Sequence, residues 1–176
     1  MIYEITKLPQ AVLRAPTKKV SVFNDELKKL VADMRETMHA ADGIGLAATQ
    51  IDKSLKLAVL EYDPKRNGDD DPDALTIPFL AIVNPTITNY SDTYDVYEEG
   101  CLSIPGEHMD VPRATDITVL ADDPDGNRFR IRAKGLFARI LQHEIDHLNG
   151  LLIADRTTDK KMKKKLASLN HASTQD

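Results

Sequence analysis

"QHEIDHLNG", residues 142–150, places two histidines four positions apart with a glutamate directly after the first. One turn of an α-helix is about 3.6 residues, so His143 and His147 project from the same face and can reach one metal ion. Glu144 lies about 100° further around the helix axis, where it can reach a coordinated water without being a ligand. The alternative is a helix whose two histidines only form hydrogen bonds.

The residues around this motif favour the metal. From Gly135 onward, apolar residues recur at helical spacing until Gly150: Leu136, Phe137, Ile140, Leu141, Ile145 and Leu148. This wide apolar arc predicts a largely buried helix. Burying two imidazole rings and a carboxylate is unfavourable unless they are paired or bind an ion. The sequence therefore predicts a metal-binding helix inside the protein.

A catalytic metal ion needs a third protein ligand. In the metzincin pattern that ligand is a histidine six positions after the second, but Ile153 occupies this position. Other zinc hydrolases use a downstream glutamate, and no glutamate follows Glu144. Upstream, His39 falls on a helix that looks exposed and His108 follows a Pro-Gly turn, which leaves Cys101, the single cysteine, as the candidate. A cysteine and two histidines leave one coordination position open for water.

Composition limits the class of protein. The chain has 176 residues, 41% of them hydrophobic, which is enough for one domain with its own core. A formal net charge of −5 argues against a general DNA- or RNA-binding protein, which needs a basic surface. No apolar run approaches the roughly 20 residues of a membrane span, and the N-terminus lacks the features of a signal peptide. We expect a cytoplasmic protein with neither a membrane nor a DNA partner.

Hydrophobic periodicity predicts a helix, then strands, then the metal-binding helix. Asn24 is the expected N-cap of the first helix. Strands are expected within residues 55–62 and 78–100, and on both sides of a Pro-Asp-Gly turn within residues 116–133. This order predicts a single-domain α+β fold with antiparallel or mixed sheets around a central helix that carries HExxH.

Two segments are expected at the surface. Residues 63–73, "DPKRNGDDDPD", contain no core-forming residue and predict an irregular acidic loop without the spacing of a calcium site. Near the C-terminus, Thr158 is the expected cap of a short helix with Met162, Leu166 and Leu169 on one side. We therefore divide the chain into a catalytic domain, residues 1–156, and a C-terminal basic helix and tail, residues 157–176.

Small residues dominate the segment "GIGLAATQ", residues 43–50. It lacks the third glycine of a dinucleotide-binding loop and it follows a helix, so it does not predict a nucleotide site. One interpretation is a tight turn between a helix and a strand. The other is a strand of small residues, which lets a second backbone lie alongside it.

Three segments, "GIGLAATQ", "EGCLS" and "QHEIDHLNG", occur in this order and resemble the signature motifs of peptide deformylases. The similarity extends from about residue 8 to about residue 156. This family removes the formyl group from the N-terminal formylmethionine of nascent polypeptides, so the resemblance implies a hydrolase acting on those peptides. One departure is His108, where family members often have an arginine or a tyrosine.

The resemblance also implies a role for each site residue. Cys101, His143 and His147 would hold one divalent ion, and Glu144 would be the general acid and base for a metal-bound water that attacks the formyl carbon. Iron(II) is the metal implied for the cell, while the ligand types also suit zinc, nickel and cobalt.

Six further residues are implied to act on the substrate. The side-chain amide of Gln50 and the backbone N–H of Leu102 would polarise the formyl carbonyl. The substrate backbone would pair with Ile44, Gly45 and Gly100 as an added strand, and Ile140 together with Ile44 would contact the methionine side chain.

Two questions stay open at this point. Residues 160–165, "KKMKKK", match in character the C-terminal helix with which bacterial members dock to the ribosome, but they also fit a solvated helix face. The alternative function is another HExxH metallo-amidase or peptidase. A metal-stabilised binding module would need a fourth ligand, which the sequence does not offer.

Overall fold

Strands in two antiparallel sheets form the framework of this protein, for which the computed structural model describes residues 1–71 and 74–171, with side chains to residue 165. The strands are β1 (Gly45–Ala47), β2 (Leu57–Tyr62), β3 (Ile77–Tyr90), β4 (Tyr94–Cys101), β5 (Ile104–Ala114), β6 (Asp116–Asp122) and β7 (Arg128–Lys134). The larger sheet has the order β1-β2-β3-β6-β7, and β4 pairs with β5 in the smaller sheet. The short strand β1 therefore lies at an edge.

The helices of the described chain are α1 (Asp25–Ala40), α2 (Pro64–Asn67), α3 (Gly135–Leu148), α4 (Ile153–Arg156) and α5 (Lys160–His171). Asn24 caps α1 as predicted, because its side-chain oxygen accepts a hydrogen bond of 3.0 Å from the N–H of Leu27. No helix among these residues is long and apolar enough to cross a membrane. The predicted α+β fold is confirmed.

Strand β2 shows how the two long helices are placed. Its side chains alternate, so that Ala58 and Leu60 pack into the same core as α3, whereas Leu57 and Val59 pack into the core of α1. All four residues are fully buried, which explains the uninterrupted apolar run in this segment. Helices α1 and α3 thus cover opposite faces of the larger sheet.

Helix α3 is the predicted central helix, and most of its residues are buried. The exception to the predicted apolar arc is Leu136, which is 36% exposed and faces a cleft. Five polar or charged side chains of α3 are also buried: Arg139, Gln142, Glu144, Asp146 and His147. Each of these needs a partner or a function inside the protein.

Strand β5 was not predicted from the sequence. Its segment begins with a Pro-Gly pair and contains Pro112, which suggested a turn. A proline is tolerated here because β5 pairs only with β4 in the described chain, so that the missing N–H can face away from the ladder. As a result, β4 and β5 form a long hairpin, and His108 lies within a strand opposite Gly100.

Two surface predictions were wrong in part. The acidic loop is not wholly irregular, because Asp63 caps the single turn α2, where its side chain accepts a hydrogen bond from the N–H of Lys65. The C-terminal helix begins after Asp159 and not at Thr158, since the Asp159 carboxylate accepts hydrogen bonds from two N–H groups of the first turn of α5. Residues 72–73 and the side chains of Leu166 and Leu169 lie outside the described structure.

Gly150 offers a test of how α3 is anchored at its C-terminal end. Its φ is +73°, and a Cβ atom there would lie 2.5 Å from the carbonyl oxygen of Arg14. Gly68 has a similar φ of +70° but open space around it. We expect Gly68→Ala to lower the free energy of unfolding by about 1 kcal/mol through strain alone. Gly150→Ala should lower it by a further ~1–3 kcal/mol through the clash.

Urea denaturation of both variants measures this difference. Equal losses of stability would show that the contact with Arg14 relaxes without cost.

Candidate metal centre

Cys101, His143 and His147 converge in the structure. Cys101 ends β4 at a break in register with β5, and the two histidines lie on adjacent turns of α3 with ring centroids 5.0 Å apart. One ligand atom from each of the three side chains can be chosen so that all lie within 4.8 Å of one another. Cys101 Sγ is 3.3 Å from His147 Nε2. The three residues are therefore spaced to share one ion.

The electrostatic surroundings favour a thiolate at Cys101. Burial alone would raise the pKa of the Cys101 thiol, but the imidazoles of His147 and His143 lower this pKa well below its ordinary value. A thiolate is the form of cysteine that binds metals. Cys101 is thus prepared for ligation.

Glu144 is a buried carboxylate beside this cluster. It is 3% exposed, and its Oε2 atom has no hydrogen-bond partner among the described residues. Burial raises the pKa of its carboxyl group above the ordinary value. A carboxyl group with a raised pKa and a free oxygen can accept a proton and return it.

Gly45 permits the edge strand β1 to approach Glu144. A Cβ atom at position 45 would lie 2.1 Å from Glu144 Oε1, which no side chain could tolerate without moving the carboxylate. The glycine therefore has a geometric cause. Both interpretations of the segment hold in part, because Gly45–Ala47 form a short strand whereas Ala48–Ile51, which include Gln50, form a 3-10 turn.

Gln50 has a fixed orientation next to Cys101. Its Oε1 accepts a hydrogen bond of 2.9 Å from the N–H of Ala47. The amide nitrogen then faces Cys101 Sγ at 3.8 Å and Ser103 Oγ at 3.2 Å. The amide thus presents a donor, and not an acceptor, beside the sulfur.

A cleft of about 550 Å³ opens over these groups. His147, which is buried, is not among the residues that line it. The other nine of the ten predicted site residues line the cleft: Ile44, Gly45, Gln50, Gly100, Cys101, Leu102, Ile140, His143 and Glu144. The edge of β1 and the end of β4 are on its walls, and α3 forms its floor. The structure thus brings together residues that are up to 103 positions apart (from 44 to 147).

A buried carboxylate that the sequence patterns did not indicate contacts His143. Glu99 is 8% exposed and its Oε2 lies 3.0 Å from His143 Nδ1. Arg113 donates to both Glu99 oxygens at 3.0 Å, and Arg139 donates to Oε1 at 2.6 Å. Burial would raise the Glu99 pKa, but His143 and Arg113 hold it well below its ordinary value. With Nδ1 bound to a carboxylate, His143 keeps Nε2 for a metal.

A second carboxylate extends this network. Asp146 on α3 forms ion pairs with Arg113 and with Arg156, and Arg139 also pairs with Asp95 on β4. The only sequence signal for these partners was the position of Glu99 two residues before Cys101. Their pairing depends on the tertiary fold.

The residues fit a transition-metal ion. A thiolate and two imidazoles are ligands that suit iron(II), zinc, cobalt and nickel. The free oxygen of Glu144 beside a three-residue ligand set is typical of a catalytic site with an open position, whereas a structural site is closed by a fourth ligand. The fold and the site together define a metal-dependent hydrolase of the HExxH type.

Comparisons with known proteins identify the family. A sequence model of the polypeptide deformylase family matches residues 2–163. A peptide deformylase of Synechococcus sp. is 43% identical over 157 residues, which cover 89% of this chain and 74% of the relative. That of Dictyoglomus thermophilum is 41% identical over 163 residues, covering 93% of this chain and 97% of the relative.

A solved structure agrees with the sequence relatives. The crystal structure of a peptide deformylase from Synechococcus elongatus matches with a TM-score of 0.83 at 36% identity, over 98% of this chain and 88% of that one. The chain belongs to the polypeptide deformylase family. It is a metallohydrolase that removes the N-formyl group from nascent polypeptides.

Glu99 generates a prediction for this site. Glu99→Gln removes a charge that compensates two buried guanidinium groups, so we expect a loss of unfolding free energy of about 3 kcal/mol. It also weakens the fixation of His143, which should reduce metal affinity roughly 10- to 100-fold. Chemical denaturation and competition with a metal chelator measure the two effects.

Glu98→Gln is the matched control, because Glu98 is the neighbouring residue of β4 and is exposed. Its stability and metal affinity should stay close to those of the wild type. If Glu99→Gln behaves like Glu98→Gln, Glu99 does not orient the metal ligand.

Proposed function

We propose that Cys101, His143 and His147 hold one divalent metal ion, iron(II) in the cell, and that Glu144 moves the protons of deformylation. The observation that carries this proposal is the buried carboxylate of Glu144 with a free oxygen, next to three side chains spaced to share an ion. When bound, a divalent ion acts as a Lewis acid and lowers the pKa of a coordinated water towards about 7.

Glu144 accepts a proton from the attacking water and later gives it to the departing amine. Burial raises the pKa of its carboxyl group above the ordinary value, which helps it to hold the proton between the two steps. The products are formate and a free α-amino group. The same residue thus serves as base and as acid.

Two donors stabilise the negative charge that develops on the formyl oxygen. The N–H of Ala47 donates a hydrogen bond to Gln50 Oε1, and this bond turns the amide nitrogen of Gln50 towards Cys101. The backbone N–H of Leu102, which follows Cys101 at the cleft, is the second donor. Each donor of this kind contributes on the order of 3 kcal/mol to transition-state stabilisation.

The substrate backbone binds as an added strand. In the described chain β1 pairs with β2 alone, so that its second edge is left for the peptide at Ile44 and Gly45. Gly100 meets the peptide from the opposite wall. The methionine side chain packs against Ile44 and Ile140, which both line the cleft.

The proposal also includes where the protein acts in the cell and what it contacts there. The protein acts in the cytoplasm on N-formylmethionyl nascent chains. Helix α5 carries exposed lysines at positions 160, 161, 163, 164 and 165. This basic face suits the phosphates of ribosomal RNA, so α5 is the proposed contact with the ribosome, and a solvated face is the alternative.

Release of formate tests the proposed function. Protein loaded anaerobically with iron(II) should release formate from formyl-Met-Ala-Ser and should leave acetyl-Met-Ala-Ser intact. The iron form should lose activity in air, because a thiolate beside iron(II) is open to oxidation, whereas a zinc form should persist with lower activity. Equal cleavage of the acetyl peptide would instead favour a general metallo-amidase.

Replacement of Glu144 separates proton transfer from metal binding. Glu144→Gln should retain one metal ion per chain and lose activity by at least about 100-fold. His147→Ala should lose the ion, with circular dichroism to confirm that the helix is intact. Metal analysis and formate release distinguish the two variants. Activity of Glu144→Gln within tenfold of the wild type would remove Glu144 from the catalytic role.

A further inference from the structure

The guanidinium group of Arg66 joins strand β2 to the turn that precedes β1. Its two terminal nitrogens both donate to the carbonyl oxygen of Gly43 at 3.2 Å. One of them also donates to the carbonyl oxygen of Glu61 in β2 at 3.3 Å. The N–H of Glu61 in β2 donates to the carbonyl oxygen of Ile44, which follows Gly43. The bonds from Arg66 therefore extend the β1–β2 pairing beyond the N-terminal end of β1.

The partners of Arg66 are unusual for an arginine. It forms no ion pair within the described chain, and its Nε atom is buried without a hydrogen-bond partner there. By contrast, Arg35 donates twice to the side-chain carboxylate of Glu61, at 2.9 and 2.8 Å. Arg66 therefore donates to main-chain carbonyls, while Arg35 donates to a side chain at the same end of β2.

The segment that carries Arg66 is itself held in place. Asp63 caps α2, and the N–H of Asp63 donates to the side chain of Asn67 at 3.2 Å. The hydroxyl of Tyr62 donates to Asp69 at 2.5 Å, and this bond raises the Tyr62 pKa to about 12. Tyr62 and Asn67 also line the cleft. Arg66 thus projects from an ordered element and not from a free loop.

The segment that Arg66 contacts needs such support. Strand β1 is three residues long, so its own ladder supplies few hydrogen bonds. It is preceded by Asp42, a non-glycine residue with φ of 54°, in the turn that follows α1. Gly45 also lies directly against Glu144, since a Cβ there would be 2.1 Å from the carboxylate. A shift of this backbone would misalign it with both the peptide and the catalytic group.

We propose that Arg66 is a positioning residue for the substrate. By holding the Gly43 carbonyl it fixes the free edge of β1, so that Ile44 and Gly45 are preorganised to pair with the peptide backbone. The inference rests on the proposed function, since it assumes that the peptide binds along this edge. Arg66 touches neither the reacting atoms nor the metal ligands, so its removal should affect substrate binding more than the chemical step.

Steady-state kinetics of formate release from formyl-Met-Ala-Ser test this role. We expect Arg66→Gln to raise KM about tenfold, because the loss of preorganisation costs about as much free energy as one hydrogen bond contributes. The kcat of this variant should stay within about threefold of the wild type. Arg66→Lys keeps the charge but lacks the fork that reaches two carbonyls, so it should restore only part of the affinity. Amide hydrogen exchange in residues 43–47 should accelerate in both variants.

Arg35→Gln is the matched control. It removes an arginine from the same strand end and leaves the Gly43 carbonyl bonded to Arg66, so KM should stay within twofold of the wild type. An equal rise of KM in Arg35→Gln, or an unchanged KM and exchange rate in Arg66→Gln, overturns the positioning role and leaves the deformylase function intact. Failure of the wild type to release formate would overturn the proposed function and this inference together.

Discussion

The buried carboxylate of Glu99 is the contact on which the site depends. It accepts hydrogen bonds from Arg113 of the same hairpin and from Arg139 and His143 of α3, so that one side chain joins the hairpin to the central helix. An unpaired carboxylate at this depth would be strongly unfavourable, and so would the two guanidinium groups without it. Because Glu99 lies two residues before Cys101, the bonds that align His143 also place the cysteine near the histidines.

This arrangement explains why α3 tolerates so many polar residues. Asp146 pairs with Arg113 and Arg156, and Gln142 bonds to the main chain of Ala114 on β5. Arg139, Gln142 and Asp146 of the helix therefore have partners on the hairpin and on α4. Glu144 Oε2 and His147 Nδ1 are different, because neither atom has a hydrogen-bond partner among the described residues. The contrast separates groups that hold the helix in place from the two residues that we propose for proton transfer and metal binding, Glu144 and His147.

The second constraint is steric. Gly45 lets β1 lie against Glu144, and the opposite wall of the cleft ends at Gly100, where a Cβ would lie 3.0 Å from the ring of His108. Gly45 thus lets the backbone of β1 approach Glu144, while Gly100 leaves room for the ring of His108 on the paired strand β5. The cleft lies between β1 and the end of β4, over α3, and it is where we propose that the extended peptide binds.

The sequence alone determined the elements with strong periodicity and the residues with distinctive chemistry. The capped helix α1, the strands around the Pro-Asp-Gly turn and the helix with His143 and His147 follow from local patterns, and the lone Cys101 was nominated by elimination. Strand β5 was missed because its prolines suggest a turn, and only pairing with β4 makes it a strand. The roles of Glu99 and Arg66 could not be predicted, because a charged residue shows no periodicity and its partner lies up to 44 positions away in sequence. Tertiary packing alone decided these contacts, since it removes the groups from water and leaves each one only the partners that the fold supplies.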